Sequence, residues 1–463
     1  MAVARVPFYF RTMLDEITSA NRQDVVLKAI YMALLFTAIT MVSMFLMRLL
    51  IIGVSRRIEY RLRSRVFDKL LALDTMFYKN RETGDLVSRS TNDLNDVRTL
   101  LGPGLMYVPN SLSRFALFLP IMMGLSPLLM GLVSGLIILV VTMILLLMPK
   151  MRVLFRKVQE SVADINNRVW QTIAGIDTIK LYTLEDVQTD RFSERNEQYI
   201  RHQMNLAKYR GFIWPFFVFM FSLGELLILV VGGRQVIQGS MTIGQLLEFN
   251  LLVGYLTFPI LSLGWIMSLI QQGVSAMGRI NEILDHPVDE RTDLQPLPDE
   301  PLAVSVKDLT FRYPATQQPV LSGISLDIRP GEAVGITGTI GCGKSTLVDL
   351  VTGVMLPEPG MVFLNDIDLV RIDPEHLGKR IGVVPQDPFL FSRTLLENIA
   401  LGSPDKEPDK VLQSARLAGL GRDITGFPDG LDELIGERGI TLSGGQKQRT
   451  ALARAIHRAP DIL

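Results

Sequence analysis

GTIGCGKST at residues 338–346 and LSGGQ at residues 442–446 are the two stretches that decide how this chain is read. A short apolar run, residues 333–337, precedes the first and is expected to form a buried strand; the apolar-periodic residues 347–354 follow it. Strand, glycine loop, helix is the context in which such a pattern holds phosphate instead of merely turning the chain. Gly338, Gly341 and Gly343 allow the backbone to bend so that successive N–H groups face one anion, while Thr339, Ile340 and Cys342 complete the loop. The helix expected from Lys344 contributes the positive end of its dipole. Lys344 is placed to reach the outer phosphates of a nucleotide and Ser345 to ligate a phosphate-bound Mg²⁺, with Thr346 beside it.

The second stretch is another anion-receptive helix start. Ser443 is a good N-cap, Gly444 and Gly445 leave backbone N–H groups accessible, and Gln446 opens a strongly helix-forming run. One domain cannot easily use both devices on one nucleotide, whereas two domains facing each other can. Two weaker signals accompany them. Tyr313 is an aromatic suited to stacking on a base, although alone it reads as a strand residue. Gln386 is a polar residue closing the β-type run VVPQ.

The rest of the chain is lopsided. Of 463 residues, the first two-thirds holds five apolar stretches, near 28–54, 102–125, 127–148, 211–231 and 244–270. Each is long enough to cross a hydrocarbon core of roughly 30 Å. Beyond about residue 301 the pattern changes to short β-type runs, Gly-rich turns and scattered charge, as in a soluble α/β domain. Lys plus Arg equals Asp plus Glu at 47 each, so no basic face supports nucleic-acid binding. The one cysteine, Cys342, excludes a disulfide framework and places the soluble part in a reducing cytosol. Residues 55–101 and 149–210 are rich in Lys and Arg near the apolar stretches, which makes both connections cytoplasmic and the turn at Ser126-Pro127 external. An odd number of crossings then leaves residues 1–27 outside with no signal peptide, so a preceding span is expected beyond this sequence, the alternative being that residues 6–17 form an interfacial stub. Both long connections read as helices that turn at 82–89 and 182–186. The Pro- and Asp-rich residues 285–301 read as a linker between a membrane part, 1–284, and a nucleotide-binding part, 302–463. Glu225 sits in mid-span, where an ionised group is costly; it would line a path, pair with Arg48, or hydrogen-bond between helices. The many methionines of the spans would suit an adaptable apolar pocket or fill lipid-facing surface.

On these motifs, in this order, the chain resembles an ABC exporter half-transporter: an α-helical transmembrane domain fused to an α/β P-loop ATP-binding cassette. The resemblance implies that Tyr313 stacks on adenine, that 338–346 is the Walker A loop, and that Gln386 is the Q-loop glutamine touching Mg²⁺. Ser443, Gly444, Gly445 and Gln446 match the signature that contacts ATP held by a partner. Residues 433–439 resemble the exporter loop beside the membrane helices; residues 81–89 with Asn92 and Asp93, and residues 178–186, resemble the two intracellular coupling elements. The implied partners are a second half-transporter, as homo- or heterodimer, membrane lipid and an amphipathic substrate. The implied place is a bacterial cytoplasmic membrane. Six spans are usual in the family and five are visible. The Walker B aspartate, catalytic glutamate and switch histidine are expected beyond Leu463; Asp461 lies too early to be the first of them. An alternative is a half that binds ATP without hydrolysing it and gates its partner.

Overall fold

Ser126 makes a corner in the apolar half of the chain. Its extended backbone and a hydroxyl that accepts from Leu129 N cap a helix whose first residue is Pro127, the position where a missing N–H costs nothing. That corner separates α6 (Leu105–Leu125) from α7 (Pro127–Ala174). Helices α1 (Ala2–Ser19), α2 (Gln23–Ala72), α3 (Thr75–Lys79), α4 (Thr83–Ser88) and α5 (Leu94–Thr99) precede it. After it come α8 (Ile176–Leu181), α9 (Glu185–Leu227), α10 (Gly233–Ile237) and α11 (Ile243–Leu284). This computed structural model describes all residues except Met1, Ala20, Asn21, Asn80, Asp289, Glu290, Thr292, Ala315, Gln317, Asp405 and 437–441; the side-chain surroundings of Ser19, Leu261 and Leu263 are also left aside.

The chain divides into two compact units, one of Met1–Arg65 with Arg89–Asn281, the other of Val66–Ser88 with Glu282–Leu463. In the first, five helical stretches are long and apolar enough to cross a membrane, as the sequence predicts. Their shared core gathers Phe118, Met122, Leu129, Val133, Ile228, Phe249, Leu252 and Leu256. Lipid is as apolar as leucine, so close packing and buried polar contacts have to hold such helices together. Small residues make that possible: a Cβ on Gly232 would lie 2.4 Å from Leu246 Cδ1, and one on Gly273 2.5 Å from Leu100 Cβ. Asp93, buried, receives both Nε and Nη2 of Arg279 at 2.8 and 2.6 Å. Near the start of α11, Asp15 accepts from Gly244 N and Thr242 Oγ1, each at 3.0 Å, and Arg11 pairs with buried Glu248 at 3.2 Å. Three π-helical turns interrupt the regular ladder, at Arg89–Asp93, Leu100–Gly104 and Ile228–Gly232. Glu225 is exposed on α9 and, among the described residues, neither it nor Arg48 enters an ion pair, so that pairing is not realised.

The second unit carries the sheet. Strands β1 (Val304–Phe311), β2 (Leu321–Ile328), β3 (Val362–Leu364) and β4 (Ile367–Asp368) form one sheet in the order β2-β1-β3-β4 with every pairing antiparallel. Alternation buries Val304 and Val306 against Leu350, Val362, Leu364 and Leu369. A second core lies among α14 (Leu395–Ile399), α15 (Pro408–Leu417), α16 (Gly421–Gly426) and α17 (Gly444–His457), with Leu390, Val411, Leu420 and Ala453 buried. Helices α12 (Lys344–Val351) and α13 (Pro374–Arg380) belong to the sheet side.

Three expectations need correction. The run 333–337 has no regular secondary structure and joins no named strand, and Val334 and Ile336 are 49% and 45% exposed. A buried strand of a parallel sheet takes its ladder from neighbours on both sides. The described strands all lie elsewhere, and the parallel pairings among the described residues are two isolated bridges, Gln295↔Ile372 and Ile381↔Ile462. Second, the turn of the first long connection comes earlier than 82–89. The chain breaks at Leu73-Asp74 because Asp74 Oδ1 accepts from Phe77 N at 2.9 Å and starts α3, while 83–88 is the helix α4. The second turn falls where expected, at Tyr182–Leu184, with Thr183 at φ 53°. Third, the stretch read as a linker is partly fastened down. Gln295 bridges to Ile372, Leu297 is buried in the sheet core, and Arg380 donates to the carbonyls of Pro298 and Glu300 at 2.7 Å.

Candidate functional site

The glycine loop stands between the run 333–337 and α12. Gly341 and Gly343 have φ of 81° and 92°, a region that side-chained residues rarely adopt. At Gly343 space is closed as well: a Cβ would lie 2.8 Å from Leu321 Cδ2 and 3.2 Å from Val320 O. A Cβ at Gly338 would lie 2.7 Å from Cys342 Sγ. The loop therefore needs glycine for its own shape. No side chain caps α12, so its first N–H groups are open to an external acceptor. Lys344 Nζ curls back onto the carbonyls of Gly338 and Thr339, both at 2.8 Å, with Cys342 Sγ 3.7 Å away. Ile340 protrudes at the tip, fully exposed; Ser345 is exposed and Thr346 buried.

Tyr313 is tied to this loop. Its hydroxyl lies 3.1 Å from Thr346 Oγ1, and its ring packs edge-on against Phe311, 5.1 Å between centroids. The aromatic and the start of α12 are thus brought together. Gln386 is exposed, and its described contact runs the other way: its carbonyl accepts from Gln448 Nε2 on α17 at 3.4 Å.

The second helix start is built as a capping box. Ser443 Oγ accepts from Gln446 N at 3.3 Å and Gln446 Oε1 accepts from Ser443 N at 2.9 Å. Asp423, on α16, holds the far side, accepting from Gln446 Nε2 and Arg449 Nη2 at 3.0 Å each. Those two donors, the Gln446 amide first, keep its carboxyl below its ordinary value. Gly444 and Gly445 lie exposed in the first turn of α17. Among the described residues, no hydrogen bond joins 443–446 to the loop 338–346. Of the stretch 433–439, residues 437–439 lie outside the described residues; Ile435 is buried, and its N–H donates to Arg393 O at 2.9 Å.

Sequence reasoning missed the residues that hold these pieces. Arg454 of α17, half-buried, donates to Asn398 O at 2.8 Å, Phe389 O at 3.1 Å and Asn398 Oδ1 at 3.2 Å. Burial pushes its pKa down. Asn398 is fully buried and its amide satisfies Phe391 and Thr394. Nothing in their types marks them; an Arg in a soluble helix reads as surface.

Residues 3–260 match the ABC transporter transmembrane region, and residues 321–463 match the ABC transporter family proper. The chain belongs to the ABC transporters. It is 32% identical over 418 residues to the multidrug resistance-like ATP-binding protein MdlA of Escherichia coli (strain K12), covering 90% of this chain and 71% of that one. To the probable multidrug resistance ABC transporter ATP-binding/permease protein YheI of Bacillus subtilis (strain 168) it is 31% identical over 431 residues, 93% of this chain and 74% of the relative. In fold it is similar to a bacterial Atm1-family ABC exporter solved with ATP bound, with TM-score 0.74 at 23% identity over 99% of this chain and 81% of that one. The architecture is that of an ABC exporter: a helical transmembrane part followed by an ATP-binding domain, in an integral membrane protein.

The residues fit a nucleoside triphosphate. Uncapped N–H groups, a lysine whose described partners are two loop carbonyls and the Cys342 sulfur, and glycines at positions closed to any Cβ form a cradle for phosphate. For Mg²⁺ the fit is narrower. Among the described residues no cluster of three His, Cys, Asp or Glu is present, and Ser345 and Gln386 are both exposed.

Proposed function

We propose that this chain, as residues 1–284 for the membrane part and 302–463 for the cassette, is one half of an ATP-driven exporter of amphipathic small molecules or lipids in a bacterial cytoplasmic membrane. Bound ATP with Mg²⁺ supplies the charge that draws two cassettes together. Lys344 gives up the carbonyls of Gly338 and Thr339 for phosphate oxygens, the N–H groups from Gly341 to Thr346 line the same anion, and Tyr313 takes the base. Ser443, Gly444, Gly445 and Gln446 offer the second helix start to a nucleotide held by the partner half. The observation that carries this reading is the pair of helix starts on one cassette, at α12 and α17, with no hydrogen bond between 443–446 and 338–346 among the described residues.

The substrate class is argued from the membrane unit. Helices α7, α9 and α11 surround a cavity of about 260 Å³ lined by Val133, Leu136, Trp214, Phe217, Phe221 and Leu256, with Thr257 its one hydroxyl. Aromatic rings, more than methionines, shape it; Met220 alone of that type takes part. Such a wall accepts apolar bodies of varied outline. A photoreactive ATP analogue carrying its reactive group on the γ-phosphate tests the scheme in the full-length protein with its partner half. Labelling should appear both in the loop 338–346 and in the segment opening at Ser443. Labelling of the loop alone, under conditions where ATP drives transport, would overturn it.

A further inference from the structure

Lys79 closes α3, the short helix between the first and second long membrane-directed segments of the chain. Its ammonium lies 2.9 Å from Asp349 Oδ2 on α12 and 3.2 Å from Met355 Sδ. It also lies 5.7 Å from the centroid of the Tyr313 ring. Tyr313 in turn meets Thr346 through its hydroxyl. One cation therefore touches both the aromatic that is the candidate base platform and the helix that opens on the candidate phosphate site.

Other contacts seat α3 without it. Thr75 Oγ1 donates to Val354 O at 2.7 Å, Met76 packs on the sheet core, and Phe77 is buried with Leu73, Leu86 and Ile283. Phe77 is further covered by the ring of His286 at 4.9 Å and the guanidinium of Arg81 at 4.6 Å. With that much apolar and hydrogen-bonded anchoring, a half-exposed ion pair adds little to attachment. Its place on the ring and on α12 is what the anchoring leaves unexplained. A cation over an aromatic face responds to whatever stacks on that ring, and an acidic side chain one turn into α12 responds to phosphate charge at the helix start.

We propose that Lys79 is a positioning residue that makes the α3 contact depend on nucleotide: the base at Tyr313 and the phosphates at α12 act on α3 through its ammonium. This deepens the reading of 338–346 as an ATP loop and rests on it. The test is hydrogen–deuterium exchange of residues 70–79 in the full-length transporter in lipid nanodiscs, with and without MgATP. In the wild type, MgATP is expected to slow exchange there by about threefold or more. Lys79→Met should leave the nucleotide-free rate within about twofold of wild type and abolish the nucleotide-dependent difference; Lys79→Arg should keep it. An undiminished MgATP effect in Lys79→Met overturns the proposal, as does a variant in which exchange rises equally with and without nucleotide, since that marks a purely structural contact. Titration of a fluorescent ATP analogue into Lys344→Ala separates the two layers: binding equal to wild type defeats the phosphate-loop reading, whereas lost binding there with a normal α3 response in Lys79→Met defeats only the role of Lys79.

Discussion

Cys342 shows how much a single position can report. It is the one cysteine of the chain, it is exposed, and its sulfur sits 3.7 Å from the ammonium of Lys344. A maleimide on it would occupy the volume that the loop leaves for phosphate. Treatment of the purified protein is expected to block binding of a fluorescent ATP analogue, with ATP protecting and Cys342→Ala insensitive. Persistent sensitivity in that variant would show that the thiol is not the target. Asp423 makes a second residue-level prediction, about pH. Its folded pKa is depressed below 3.8 by the Gln446 amide and then by Arg449, so the stabilisation it supplies is complete above 3.8 and lost as pH falls through the lower folded value. Asp423→Asn should cost about 1 kcal/mol at neutral pH, on the scale of one charged surface contact, and the gap to wild type should close below about pH 3.8. Thermal unfolding across that range reads it directly; a gap independent of pH would mean that the carboxylate charge is immaterial.

At the scale of elements, what the sequence made legible follows from how local each signal is. The loop and α12 could be read from GTIGCGKST because glycine φ angles and a helix start are properties of a few adjacent residues. The Ser443 capping box could be read for the same reason. The strand expected at 333–337 failed because a strand is made by its neighbours, and composition does not say which neighbours arrive. The first turn was misplaced because polar residues at 82–89 looked like a corner, whereas one carboxylate at Asp74 had already made it. Long-range clasps were not legible at all. Arg454 is the clearest: 56 residues separate it from the Asn398 it binds. Arg454→Met keeps the stem but strands the carbonyls of Phe389 and Asn398, and is expected to destabilise the cassette by about 2–4 kcal/mol. A loss of unfolding free energy from urea titration smaller than a third of that would show that water replaces the guanidinium.

For the whole molecule, the spans were legible from length and hydropathy, while the division into units was not. Residues 66–88 belong with the cassette although they lie more than 190 positions before the rest of it, a grouping that no composition shift announces. Within the membrane unit, close approach matters more than apolar area, and Gly273 tests it. Its neighbour Leu100 leaves no room for a Cβ, so Gly273→Val should cost about 1–3 kcal/mol by overpacking and impair transport of a fluorescent amphiphile in proteoliposomes. Leu100→Gly in the same protein, which removes the Cβ that Gly273 faces, should restore it in part; a double variant no better than the single one would place the fault elsewhere.

The π turns carry a consequence of their own. Each stores one residue more than the α-helical winding requires. Were one to discharge that surplus, everything beyond it would swivel by about 100° and advance about 1.5 Å, with the rest of the helix still intact. Two such turns flank α5 and a third lies just before α10, so these stretches can screw rather than hinge, turning a different face to the lipid or to the neighbouring helix without unfolding.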